Sequence, residues 1–362
     1  MKDDLPNELR DVDSRLLTAS VRPPKPLITK EGWRQFIERK PVARPPIVSV
    51  AEVAKWSSAH QARYKAVRNR HHAMLAPLST PVLSQISEAV VRMALTGIDL
   101  PPGVRPGALI NGRPTLGKST ILLEIGRQFE QLLRRRNGIE ATDDRDVEFI
   151  PVVYATLASD ETIKGLDGKI LSYFGCPYNP NDSESTLASH VAREAARCGT
   201  ALVLLDDIHF LKARHKLGQA VNTHLKALAS SISATFVYAG VHVENTGLLF
   251  EGAVEAEAQA AQTQRRFKRM DIEPFTKGSE VLTEVLNALE KQLVLLKARP
   301  GDLSALADYV HDRTDGYMGP ITTLVRDGAA VAIDKGQERL SKEVLDQVLL
   351  DYASQKHFST LA

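Results

Sequence analysis

Short unbroken apolar runs punctuate the middle of the chain. Ala108-Leu109-Ile110, Phe149–Ala155, Ala201–Leu205 and Thr235–Gly240 each carry too few polar positions to alternate. Such runs suit strands buried on both faces of a parallel sheet. A fifth strand is expected around Arg269–Ile272, and stretches of helical spacing, Lys118–Arg136 and Gly218–Ser231, supply crossovers. Beyond Phe275 the period becomes helical throughout: Leu282–Lys297, Leu303–Arg313, Pro320–Lys335 and Ser341–Ser354. Asp302 and Ser341 stand where helix N-caps belong. Residues 48–100 also read as helical, in segments Val50–Met74 and Pro81–Thr96. Residues 1–47 hold Pro6, Pro23, Pro24, Pro26, Pro41, Pro45 and Pro46, which exclude a long helix or a central strand. The expected organisation is a proline-rich arm (1–47), a helical segment (48–100), an α/β core (101–275) and a small all-α lid (276–362). Trp33 and Phe36 would anchor the arm on the body of the protein or on a partner.

Composition narrows this little. Of 362 residues, 43% are hydrophobic and 25% charged, and the net charge is +2, so any nucleic-acid surface must come from local clustering. One cluster qualifies: no acidic residue stands between Glu52 and Glu88, while Lys55, Arg63, Lys65, Arg68 and Arg70 do, beside His71 and His72. Arg63 and Arg68 are therefore candidates for DNA phosphate contacts, although a solvated face or an interface with an acidic neighbour explains most charge runs. Cys176 and Cys198 offer neither a disulfide framework nor a metal cluster by themselves. The start of the chain lacks an apolar leader and no stretch reaches membrane-span length, so a cytoplasmic protein with no membrane partner is expected.

The chemistry concentrates at Gly112-Arg113-Pro114-Thr115-Leu116-Gly117-Lys118-Ser119, between a predicted strand and a predicted helix. This is the phosphate-loop pattern in its required context. Its glycines let backbone N–H groups turn inward on phosphates, and the helix adds its positive end. Gly112, Pro114, Thr115, Leu116, Gly117, Lys118, Ser119 and Thr120 are the expected nucleotide-binding residues. Lys118 would reach the β- and γ-phosphates and the Ser119 hydroxyl would hold Mg²⁺. Asp206, ending the third apolar run, is the second candidate for Mg²⁺. Asp207 occupies the place of a carboxylate that orients attacking water.

Five strands in this motif order ahead of a helical lid resemble the AAA+ fold, a P-loop NTPase. Within it the chain resembles the TniB/TnsC group of transposition ATPases. The likeness rests on the Gly112–Ser119 loop, Leu204-Leu205-Asp206-Asp207-Ile208-His209, Val237-Tyr238-Ala239-Gly240, Gln264-Arg265-Arg266-Phe267 and Thr314-Asp315-Gly316-Tyr317-Met318-Gly319. That resemblance implies ATP and Mg²⁺ as ligands and a homo-oligomeric ring or filament on double-stranded DNA. A transposase and a target-selection protein would be the protein partners. It implies an arginine finger, supplied to a neighbouring subunit, at Arg265 or Arg266. It places Thr162, Lys164 and Lys169 in a region that faces DNA in relatives. Three departures stand out: Asp207 is a methylene shorter than the glutamate such enzymes carry, which implies slow ATP hydrolysis; no polar sensor follows the fourth strand directly, His242 being nearest; and Gly316–Thr323 contains no arginine. The competing reading is a signalling or defence NTPase that switches a protein partner without DNA.

Overall fold

Five parallel strands form one sheet in the order β2-β3-β4-β1-β5 in the computed structural model, which describes residues 6, 9–10, 12–17, 23–78, 80–101, 103, 105–139, 148–159, 161–208, 216–243 (without the side chains of 216–222) and 267–361. The strands are β1 (Gly107–Gly112), β2 (Val152–Thr156), β3 (Leu202–Asp206), β4 (Thr235–Gly240) and β5 (Phe267–Ile272). Helices α1 (Ser14–Leu17), α2 (Lys30–Glu38), α3 (Val50–Lys55), α4 (Ser58–Ala73) and α5 (Pro81–Ile98) precede the sheet in sequence. Its crossovers carry α6 (Lys118–Asn137), α7 (Ile163–Phe174), α8 (Glu184–Arg197) and α9 (Lys216–Ile232).

The contacts divide the chain into two units, residues 24–39 with 81–273 and residues 1–23 with 40–80 and 274–362. In the first unit β3 and β4 are buried along their whole length, as continuous apolar runs require. Val237 of β4 pairs with Ala108 on one side and Leu204 on the other, so one strand separates the phosphate-loop strand from the acidic strand. The edge strand β5 exposes Lys268 and Arg269, charges that discourage further strand pairing. Helix α6 ends as its sequence requires: Gly138 is left-handed and its N–H bonds the carbonyls of Arg134 and Arg135. Arg134 stands in the last turn, where a cation meets the negative end of the helix dipole, and it also serves the interior. It is buried, pairs with Glu130 at 2.7 Å and donates to the Phe149 carbonyl.

The second unit is helical, with Leu282, Leu286, Val310, Ile321, Leu324 and Val344 in its core. Helix α4 packs on Met318–Asp334. Several sequence boundaries shift: the helix expected over 282–297 ends at Gln292, and that expected over 341–354 is two, Lys342–Leu345 and Tyr352–Leu361, with no cap bond from the Ser341 side chain. Ser57 breaks 50–74 by capping α4 through the His60 N–H. Asp302 caps no helix ahead of it; its carboxylate accepts from the Arg299 N–H behind it and from Arg339.

The basic run also serves this unit's interior. Arg68 is buried against Glu338, Arg70 donates to the Leu16 carbonyl, and His71 reaches the Gln292 carbonyl at 2.8 Å. His72 accepts the Val294 N–H at 2.9 Å, so its Nε2 carries no proton. Burial first, then the charges of His71, Arg68 and Arg44, push its pKa down to about 3. A group whose folded pKa lies below its unfolded value contributes stability above the unfolded pKa, near 6.5, and that stability is lost as pH falls toward the folded one. His72→Gln, which keeps an acceptor for Val294, is therefore expected to flatten the fall in melting temperature between pH 6.5 and 4. An unchanged slope would exclude His72 as the acid-sensitive group.

Candidate functional site

Gly112 closes β1 where a Cβ would lie 2.7 Å from the Ile272 carbonyl oxygen, and Gly117 carries φ +91° as the residue before α6. No side chain caps α6, so its first N–H groups remain available to an anion. Between the glycines, Pro114 and Thr115 are exposed, Thr115 with φ +61°, and Leu116 is buried. Lys118 is only 8% exposed, and its Nζ donates to the Arg113 carbonyl at 2.6 Å. Burial lowers its pKa, while the carboxylates of Asp206 and Asp207 pull it back up. The loop thus holds a desolvated ammonium beside two carboxylates, with the Ser119 and Thr120 side chains on the surface. The fit to a nucleotide triphosphate is good: an uncapped helix end, a left-handed glycine and a buried cation meet at one loop.

Asp206 is buried at the end of β3, in register with Thr156. Each of its oxygens already has one donor, the Asp207 N–H on Oδ1 at 2.9 Å and the Tyr154 hydroxyl on Oδ2 at 3.2 Å. Carboxylate oxygens accept twice, so the remaining lone pairs can meet a cation or its waters. Tyr154 escaped the sequence reading; its only signal is its place in the strand that pairs with the acidic one. Burial, foremost, pushes its pKa up to about 12, which keeps it a neutral donor. Asp207 has φ +57°, a left-handed conformation that Asp and Asn tolerate better than longer side chains.

At the end of β1, Asn111 donates to Asp271 at 2.7 Å and accepts the Val243 N–H at 3.2 Å. It ties the ends of β1 and β5 to the chain after β4, where the sequence pointed to His242. Arg265 and Arg266 lie outside the described residues.

The DNA candidates fare unequally. Thr162 is exposed and caps α7 by accepting the Gly165 N–H at 2.9 Å, and Lys164 is half-buried on the first turn. Lys169 is partly exposed, but its ammonium is already bonded to the Thr156 carbonyl at 3.0 Å and to the Glu161 carboxylate. Arg63 is half-buried on α4. Arg68 is no phosphate contact: its guanidinium is buried and both its terminal nitrogens are taken by Glu338. Among the described residues, Cys176, His190 and Glu194 come within 4.8 Å of one another. Arg197 at 2.8 Å and Arg193 at 3.7 Å already answer that glutamate. No described helix is long and apolar enough to cross a membrane.

Comparison with solved structures gives the same arrangement at low identity. The Aeropyrum pernix ORC1 protein in complex with DNA matches with a TM-score of 0.54 at 16% identity, over 78% of this chain and 66% of that one. The ORC2 protein of the same organism, in ADPNP–ADP complexes, gives 0.58 at 13%, over 79% and 69%. Cdc6p from Pyrobaculum aerophilum gives 0.50 at 16%, over 76% and 69%. The chain thus spans about two thirds of their length, and the likeness is one of fold, that of AAA+ ATPases. No curated protein matches the sequence significantly. A family model, that of the bacterial TniB protein, covers residues 83–277, more than half of the chain. Because that match runs from within α5, through the phosphate loop and the acidic strand, to just past β5, the chain belongs to the TniB family.

Proposed function

We propose that the chain binds ATP with Mg²⁺ at Gly112–Thr120, hydrolyses it slowly, and assembles with copies of itself on double-stranded DNA, where it recruits or activates a transposase. The phosphate loop carries this reading, with its buried Lys118 and with Asp206 on β3, one strand between the two, in a chain of the TniB family. Bound Mg²⁺ would be held by the Ser119 hydroxyl and Asp206 and would offset charge on the β- and γ-phosphates. Lys118 adds the second positive charge, the α6 N–H groups bind phosphate oxygens, and Asp207 orients water. DNA binding is supported by a structural neighbour described in complex with DNA and by Thr162 and Lys164 at the start of α7. The direct test is electron microscopy and filter binding with ATP, ADP and duplex DNA. Assembly on DNA with ATP is expected, weakening steeply with salt; its absence would overturn the reading.

Asp207→Asn keeps the shape and the tolerance for a left-handed backbone while removing the charge. It is expected to leave ATP binding and assembly intact and to cut turnover by about 100-fold or more, the usual scale for a lost general base. An Arg265→Ala, Arg266→Ala double variant is expected to bind ATP but not hydrolyse it. Mixed with Asp207→Asn subunits, it should recover part of the activity, since each supplies what the other lacks across the subunit interface. Unimpaired turnover of Asp207→Asn, or a mixture without recovery, would count against these roles.

A further inference from the structure

Helix α2 of the proline-rich arm is joined to the metal end of the nucleotide site through two aromatic rings. Thr29 caps α2 by accepting the Gly32 N–H, and the helix occupies the proline-free stretch between Pro26 and Pro41. Its Trp33 is 2% exposed and donates from Nε1 to the Glu130 carboxylate at 2.7 Å. Glu130 is itself buried and shared with Arg134. The socket is cut for the indole: at Gly126, in the middle of α6, a Cβ would stand 2.6 Å from Trp33 Cη2 and 2.6 Å from Leu204 Cδ1. Glycine is disfavoured at mid-helix, and here Trp33 and Leu204 together account for it. Trp33 also stacks on Tyr154, ring centres 6.2 Å apart and planes 19° apart. Tyr154 in turn donates a hydrogen bond from its hydroxyl to Asp206 Oδ2. Lys30 and Arg34 fasten the same helix to Glu148, and the Gln131 side chain donates to the Ile37 carbonyl.

We infer that Tyr154 is a positioning residue for Asp206 and that the docked Trp33 holds it in place, so that the arm sets how well the nucleotide site uses its metal. The inference rests on the ATP–Mg²⁺ reading of the site. An ionised carboxylate only accepts, so the Tyr154 hydroxyl, itself accepting from the Thr156 hydroxyl at 3.4 Å, donates to one oxygen of Asp206 and leaves the other lone pairs to face the metal. With the arm undocked, the Tyr154 ring loses the surface that holds its rotamer.

The test is the affinity of the full chain for a fluorescent, non-hydrolysable ATP analogue, measured with and without Mg²⁺, together with the melting temperature. Tyr154→Phe is expected to leave the Mg²⁺-free affinity unchanged and to reduce the gain brought by Mg²⁺ roughly tenfold, as loss of an outer-shell partner does. Trp33→Ala should reduce the gain alike, and Trp33→Phe, which keeps a ring on Tyr154, should restore most of it. An intact Mg²⁺ gain in Tyr154→Phe would overturn the inference. So would a Trp33→Ala protein that melts lower but keeps the gain, since the arm would then be packing alone. A wild-type chain that does not bind the analogue would instead overturn the nucleotide reading, and the inference with it.

Discussion

Lys118→Ala is expected to weaken ATP binding at least about 100-fold, equivalent to ~2.7 kcal/mol or more, without lowering the melting temperature of the nucleotide-free protein. The two expectations have one cause. Free Lys118 is a charge held out of water, and burial depresses its pKa, so in the absence of ligand the folded protein is strained rather than stabilised by it. Its Nζ is turned to the Arg113 carbonyl within the loop itself, at 2.6 Å, and is thereby kept where phosphate oxygens would arrive. In so desolvated a place the attraction for phosphate is far less screened than at a surface. Lys118→Met separates volume from charge: it fills the space and should bind no better than alanine. Arg is no substitute either, because its planar fork needs room that a side chain 8% exposed does not have. A titration with a fluorescent ATP analogue checks all three, and retention of affinity within threefold in Lys118→Ala would remove the loop from the nucleotide site.

What the sequence disclosed depended on how local the signal was. The phosphate loop is eight consecutive residues, and its strand and helix adjoin it, so site and context were read together. The strands of the parallel core showed as apolar runs because both of their faces are covered. Asp206 was found because it ends such a run. Trp33 was seen only as an anchor without a socket, since Gly126 and Glu130, which receive it, lie in another segment and glycine in IleGlyArgGln carries no sign of an indole. Tyr154 looked like one more strand aromatic; its role depends on the register that sets β2 beside β3. Asp207 was identified by position, but its left-handed backbone is a property of the strand-to-loop turn and not of the residue. The basic run misled for the same reason as Trp33: absence of nearby acids suggested free cations, whereas the acid that claims Arg68 is 270 positions away.

That pair yields the largest expected effect on stability. Arg68 donates from Nη1 and Nη2 to the two oxygens of Glu338, at 2.6 and 3.0 Å, while Tyr64 lies under the guanidinium at 4.7 Å. Glu338 also accepts the Leu296 N–H at 3.1 Å, and its backbone stands at φ +58°. Glu338→Ala removes the carboxylate and leaves a buried guanidinium with no counter-charge, a loss expected to cost about 3–5 kcal/mol. Glu338→Gly makes the same deletion but relieves the left-handed backbone, by about 1 kcal/mol. It should therefore melt above Glu338→Ala and still well below wild type. Replacing both partners, Arg68→Met with Glu338→Leu, removes the unpaired charge as well and should recover part of the loss, because an apolar pair of similar volume bears no desolvation cost. The Leu296 N–H would still go without its acceptor, about 1–3 kcal/mol that the double variant cannot return. Urea unfolding of the four proteins reads these differences directly. If Glu338→Ala cost less than about 1 kcal/mol, the scale of an exposed pair, the bridge would be solvated and Arg68 would again be available to a phosphate.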